Sequence, residues 1–222
     1  MKQKKYALSA GISGLLFAAL IVLVKSVDVQ AIGPEGMRIG LSHLNRLVFE
    51  KLGVHMLWYA ITDWLGIAAI GTALLFAAIG LVQWIRRRSI LKVDKELLAL
   101  GGLYLIVIGL YVLFELVIVN YRPIIMPGSI HPEASFPSSH TMLVCVIMGS
   151  AIPLIGKYAK SGVLCTVLRV LCAAIIAITV IGRLISGVHW FTDILGGILI
   201  SIMLLNLYAE SLERIEKRNE QE

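Results

Sequence analysis

Six long apolar runs constrain this chain more than any other feature. A bilayer core about 30 Å thick takes about 20 apolar residues per helix. Runs at 6–26, 57–85, 97–119, 140–156, 163–185 and 190–209 come near that length. With 58% hydrophobic and 15% charged residues, the sequence is more apolar than a soluble domain, where apolar residues make up about 45–50% with glycine included. It therefore reads as an all-α, polytopic membrane protein with six transmembrane helices in a single domain, residues 1–222.

The distribution of basic residues orients these spans. With the N-terminus inside, the inner side collects Lys2, Lys4, Lys5, Arg86, Arg87, Arg88, Lys92, Lys95, Lys157, Lys160, Arg214, Lys217 and Arg218. The outer ends hold only Lys25, Arg38, Arg46, Lys51, Arg122 and Arg183. By the positive-inside rule both termini are expected in the cytoplasm. A net charge of +6 that is scattered at span ends marks topology and gives no nucleic-acid partner. The first run has a basic start and a small-residue site at Val29-Gln30-Ala31, as signal peptides do, but its apolar core is long, which favours a retained helix. Cys145, Cys165 and Cys172 lie inside apolar runs without metal or disulfide spacing and read as packing residues.

Two outer segments stand apart. Residues 37–52 place Met37, Leu41, Leu44, Val48 and Leu52 three or four apart, with Arg38, Asn45 and Lys51 elsewhere, the pattern of a helix lying in the interface. It would either roof a lipid entrance or simply anchor the outer surface. Residues 120–140, NYRPIIMPGSIHPEASFPSSH, are rich in proline and serine and read as a loop.

Three polar clusters fall at the same expected outer face. Tyr121-Arg122-Pro123 follows the third run, Pro137-Ser138-Ser139-His140 opens the fourth, and Arg183, His189 and Asp193 lie between the fifth and sixth. An ionisable residue in a span is costly and by default marks a functional site. His189 and Asp193 are four apart, so on one helical face the carboxylate can hold one ring nitrogen and leave the other as a nucleophile. The helix start at Ser138, Ser139 and His140 offers orphan N–H groups to an anion beside a proton donor. Arg122 and Arg183 supply planar forks for phosphate oxygens. Together they form a phosphoryl-transfer set. His43, His55 and His131 lack such partners and read as interfacial. Asp63 and Trp64 would line the cavity or, more simply, make a structural hydrogen bond.

This arrangement resembles the type-2 phosphatidic acid phosphatase superfamily, integral-membrane lipid phosphatases related to vanadium haloperoxidases. That family's pattern is K-x6-R-P, then P-S-G-H, then S-R-x5-H-x3-D. Here Pro137-Ser138-Ser139-His140 and Gly182-Arg183…His189…Asp193 keep the order and spacing, with Ser139 for glycine and Gly182 for serine. Arg122-Pro123 is present, but Glu115 stands where the family has lysine. The resemblance implies a metal-independent, cofactor-free phosphatase with its active site at the extracytoplasmic face. In it, His189 attacks phosphorus to form a phosphohistidine, His140 protonates the departing lipid oxygen, and Asp193 orients His189. Arg122, Arg183, Ser138 and Ser139 would bind the phosphoryl group. The substrate would be a membrane lipid phosphate or diphosphate, such as phosphatidylglycerol phosphate, phosphatidate or undecaprenyl diphosphate, and the setting a bacterial plasma membrane.

If the third helix continued to Arg122, Glu115 would sit about two turns below it on nearly the same face. There it would pair with an arginine or bond to a polar group on a neighbouring helix. The alternatives to a lipid phosphatase are a haloperoxidase, a non-hydrolytic lipid-phosphate transporter and a catalytically impaired relative lacking the family lysine. Transporters usually place ionisable groups near the midplane and duplicate their halves, whereas here the groups cluster at one end and no repeat appears.

Overall fold

The computed structural model describes residues 2–221. Seven α-helices carry the chain: α1 (Lys2–Ser26), α2 (Ser42–Leu52), α3 (Met56–Arg87), α4 (Lys95–Leu116), α5 (Ser139–Tyr158), α6 (Gly162–Ile185) and α7 (Phe191–Asn219). A short antiparallel hairpin, β1 (Gln30–Ala31) with β2 (Arg38–Ile39), links α1 to α2. All the helices except α2 are long and apolar enough to cross a membrane, so the chain is a multi-pass membrane protein.

Hydrophobic residues lie both inside and outside this bundle, as expected where the surroundings are lipid. Leu15, Leu57, Leu74, Leu105 and Val163 point outward and are exposed, while Phe17, Leu100, Val144, Val146, Ile200 and Leu204 fill the interior. The two most buried spans are α5 and α7, against which the other spans pack. Phe136, from the loop before α5, is inserted among them and stacks on Phe17 with ring centroids 5.8 Å apart.

Both termini lie at one end. Lys217 Nζ donates to Gln3 Oε1 at 3.2 Å. Asp94, just before α4, is held at the same end by Gln83 Nε2 at 3.0 Å, Arg87 Nη1 at 2.9 Å, Tyr158 Oη at 3.0 Å and Lys157 Nζ at 3.2 Å. Burial opposes ionisation of Asp94, but these hydrogen bonds outweigh it and hold the carboxyl down to about 2. The histidines and arginines of interest lie at the opposite end, where α5 begins and α6 finishes.

Three boundaries differ most from the expected ones, and the largest difference is at α7, which runs on to Asn219, ten residues past the expected end of the span. The helix α4 stops at Leu116, short of residue 119. Val119 is apolar because it is buried beneath the loop; by Tyr121 the backbone is extended and paired with Ala134. The outer helix begins at Ser42 rather than residue 37, because Arg38 and Ile39 are spent on the hairpin and Leu41 takes a left-handed conformation. Its inward face is mixed, with Leu41, Val48, Phe49 and Leu52 half-buried beside a polar residue. Asn45 is fully buried, with Nδ2 donating to Gly40 O at 2.9 Å and Thr192 Oγ1 at 3.1 Å. Leu44 is exposed. α2 packs against the start of α7 through both the Asn45–Thr192 contact and the Phe49–Trp190 pair, whose ring centroids are 5.5 Å apart.

Candidate active site

The residues singled out in the sequence come from four separate segments. His189 sits in the turn between α6 and α7, buried, with Asp193 in the first turn of α7. Its Nδ1 is 3.6 Å from Asp193 Oδ2, longer than a hydrogen bond. Asp193 is itself fixed: Oδ2 accepts the Trp190 N–H at 3.0 Å and Oδ1 accepts from Asn120 Nδ2 at 3.4 Å. On the other side of the ring, Arg122 Nη1 lies 3.4 Å from His189 Nε2. A guanidinium can only donate, so Nε2 presents a lone pair and the proton of the neutral ring belongs on Nδ1, toward Asp193. Burial, then the charges of Arg122 and Arg183, push His189 well below the usual imidazole range.

Arg122 is held from three sides. Its backbone N–H donates to Glu133 O at 3.0 Å, Nη1 reaches Val188 O at 3.3 Å, and Nε pairs with Glu133 Oε2 at 3.1 Å. The loop bends back onto the helices through Ser135 N to Asn120 O at 3.0 Å, Ser138 N to Asp193 O at 2.9 Å and Trp190 Nε1 to Tyr121 O at 2.7 Å. The proline- and serine-rich stretch is thus an ordered strap that ties α4, α5 and α7 together.

Arg183, in the last turn of α6, is wholly buried. Nη2 pairs with Asp63 of α3, and the guanidinium carbon stands 4.7 Å from the centre of the Tyr59 ring. Its Nε and Nη1 have no partner among the described residues. Buried donors of this kind are costly unless something accepts from them. His140, second residue of α5, pairs through Nε2 with the same Asp63 oxygen at 3.1 Å.

Ser138 and Ser139 part company. Ser138 is fully buried and its hydroxyl caps α5, accepting from Thr141 N at 3.5 Å and Thr141 Oγ1 at 3.0 Å. Ser139 lines a cleft together with Glu115, Arg122, Phe136 and His189. Glu115 takes neither of its expected partners: it makes no hydrogen bond or ion pair among the described residues, although it borders the cleft beside Arg122. A second, mostly apolar groove of about 380 Å³ runs between α3, α4 and α5, lined by Asp63, Ile67, Ile70, Tyr111, Ser139, His140 and Leu143. Tyr111 and Ser139 border both spaces, so the polar cleft and the apolar groove lie side by side.

Two carboxylates go beyond the set anticipated from sequence. Asp63 does more than make a structural bond; the signal was its presence as an acid in an apolar run. Its neighbour Trp64 is exposed on the surface of the bundle and borders neither the cleft nor the groove. Glu133 carried no signal, since only the fold of the strap brings it to Arg122. His43 and His55 remain peripheral, bonded to Asp28 at 2.8 Å and to Leu52 O at 2.8 Å.

Comparison with solved structures finds the fold elsewhere. The crystal structure described as the first transmembrane PAP2 type phosphatidylglycerolphosphate phosphatase, from Bacillus subtilis, matches with a TM-score of 0.67 over 93% of this chain and 96% of that one, at 17% identity. Among curated protein sequences nothing matches significantly. The family model for the PAP2 superfamily matches residues 98–216, just over half of the chain and all of the motifs from Glu115 to Asp193. The chain belongs to the PAP2 superfamily, the type-2 phosphatidic acid phosphatases that its histidine, arginine and aspartate spacing resembles.

Proposed function

We propose that the whole chain is one phosphatase domain that hydrolyses a lipid phosphate or diphosphate monoester through a phosphohistidine. The observation that carries this reading is the meeting of the buried His189 Nε2 with Arg122, beside the unpartnered donors of Arg183, where the polar cleft adjoins an apolar groove.

The phosphoryl oxygens would bind Arg122, Arg183 and the first-turn N–H groups of α5 at Ser139 and His140, which the Ser138 cap leaves free. His189 Nε2 then attacks phosphorus as the P–O bond to the lipid breaks, and His140 gives its proton to the departing oxygen. In the second half, water attacks phosphorus and His140 takes its proton. The P–N bond breaks and its electron pair returns to His189. Asp193 keeps the Nδ1–H side of His189 oriented and balances the charge that develops on the ring. The apolar groove beside His140 accommodates the acyl or prenyl chain of a substrate such as phosphatidylglycerol phosphate, phosphatidate or undecaprenyl diphosphate.

The chemistry uses no metal. The basic residues gather at the end that carries the termini, which supports a cytoplasmic location for both termini and an extracytoplasmic site, in a bacterial plasma membrane. Glu115 borders the cleft where the family has lysine and modulates it by placing negative charge beside Arg122. Glu115→Lys should tighten inhibition by inorganic phosphate without loss of folding.

The test is phosphate release from those three lipids by detergent-purified protein with chelator present, for the wild-type chain and His189→Ala. Chelator-resistant release that disappears in the variant supports the histidine mechanism and ranks the substrates. No release from any lipid by folded wild-type protein refutes the reading.

A further inference from the structure

Of the charged side chains in this site, Asp63 touches both histidine and arginine machinery yet belongs to no motif. We infer that Asp63 is a positioning residue for phosphoryl transfer: from α3 it fixes the ring of His140 and the fork of Arg183 relative to one another. The inference rests on the phosphatase reading above.

The geometry is asymmetric in a useful way. Asp63 Oδ1 takes His140 Nε2 at 3.1 Å and Arg183 Nη2 at once. With Nε2 committed, Nδ1 is the only ring nitrogen left to meet the departing oxygen. With Nη2 committed, Nε and Nη1 are the donors of Arg183 left unpartnered, and they are free for phosphoryl oxygens. Space is arranged to suit. A Cβ on Gly66, one turn along α3 from Asp63, would come within 3.2 Å of His140 Cδ2, so glycine there lets the ring lie against the helix. Arg183 is fully buried, and a buried cation with no countercharge is severely penalised; Asp63 supplies that countercharge from the neighbouring helix.

During departure of the lipid, the P–O bond breaks with both electrons going to oxygen. That oxygen takes the Nδ1 proton of the His140 imidazolium while Nε2–H stays on Asp63. When water later attacks, Nδ1 takes its proton back. Asp63 holds the ring in place for both transfers and touches neither substrate nor phosphorus. The charged and titratable groups that face His140 are Asp63 from α3, Arg183 from α6, His189 from the following turn and Arg122 from the strap.

A general acid contributes about 10²–10⁴-fold when the leaving group needs a proton. A lipid alkoxide needs one, whereas the 4-nitrophenolate leaving from 4-nitrophenyl phosphate departs unprotonated. Asp63→Asn keeps the shape and removes the charge. The experiment compares kcat for a long-chain lipid phosphate and for 4-nitrophenyl phosphate in wild-type and Asp63→Asn protein in detergent. The ratio of the two rates within one preparation does not depend on the folded fraction. The expected result is a lipid rate lowered about 100-fold or more, an aryl rate lowered about 10-fold or less, and partial recovery of the ratio in Asp63→Glu. Equal losses on both esters would mean that Asp63 merely holds α3 to α6, and an unchanged lipid rate would mean that it does nothing for His140; either overturns the inference. No release from either ester by the wild-type chain overturns the phosphatase reading itself, and the inference with it.

Discussion

Gly182 stands one residue before Arg183, where the family pattern has serine, and restoring that serine should harm this protein. A Cβ at position 182 would lie 2.6 Å from Thr62 Cγ2 and 3.0 Å from Trp58 Cε3, well inside the roughly 3.5–4.0 Å at which carbon atoms attract. Thr62 cannot swing its methyl away cheaply. It is fully buried and its hydroxyl donates to Trp58 O and Tyr59 O, each at 2.9 Å. Overpacking of a well-filled contact costs about 1–3 kcal/mol, and a rigid β-branched neighbour places Gly182→Ser in the upper part of that range. For a chain of this length each kcal/mol moves the melting temperature by about 2–4 °C, so Gly182→Ser should melt about 4–12 °C lower in detergent. Thr62→Ser deletes the obstructing methyl and keeps the hydroxyl, at about 1 kcal/mol for the lost burial. Combined, the two changes should be less damaging than their sum, by about 0.5–3 kcal/mol of coupling. Gly182→Ser melting with the parent, or strict additivity in the double variant, would refute the claim that α3 approaches α6 too closely for any side chain there.

The remaining predictions concern other contacts. Glu133 pairs with Arg122 Nε beside the cleft, with the glutamate side chain 42% exposed; an ion pair open to solvent is worth up to about 1 kcal/mol. Glu133→Gln should therefore tighten inhibition by inorganic phosphate up to about 5-fold, and weaker inhibition would show that Glu133 organises Arg122 instead of competing for it. Asp94 has a folded-state pKa of about 2 against an ordinary 3.8. Its contribution to stability is complete above the ordinary value and is lost as pH falls through about 2. Asp94→Asn should lower the melting temperature near neutral pH and flatten its fall between about pH 4 and 2, which an unchanged acid profile would contradict. Gly187 has φ +69°, and a Cβ there would come 2.3 Å from Gly53 O. Gly187→Ala should cost at least about 1–2 kcal/mol from the left-handed backbone alone and, two residues from His189, lower kcat/KM about 10-fold or more. Full activity would place the turn outside the catalytic requirement.

Much of this protein is local information. The length and apolarity of each run specify a spanning helix, because in lipid a helix satisfies its own backbone. The rare ionisable residues, Arg122, His140, Arg183, His189 and Asp193, mark a site because nothing else repays their burial; the four-residue interval from His189 to Asp193 suggests one helical face, but α7 starts at Phe191, so the turn before it is what brings His189 near Asp193. Glu115 and Arg122 show where such reasoning stops. Their interval implied a shared helix, yet the helix ends at Leu116, since an apolar residue such as Val119 is equally at home in a span or beneath a folded strap.

What only the tertiary structure decided are the partnerships across helices. Asp63 is 77 residues from His140 and 120 from Arg183, and their meeting depends on how α3, α5 and α6 pack. Glu133 reaches Arg122 because the strap doubles back, Ser138 is spent on a cap while Ser139 faces the cleft, and Asn45 of α2 is buried against Thr192 of α7. The sequence determines which groups must be paired, through the cost of burying charge; the packing of helices determines with whom, because pair energies fall off within a few ångströms and only assembled surfaces set those distances.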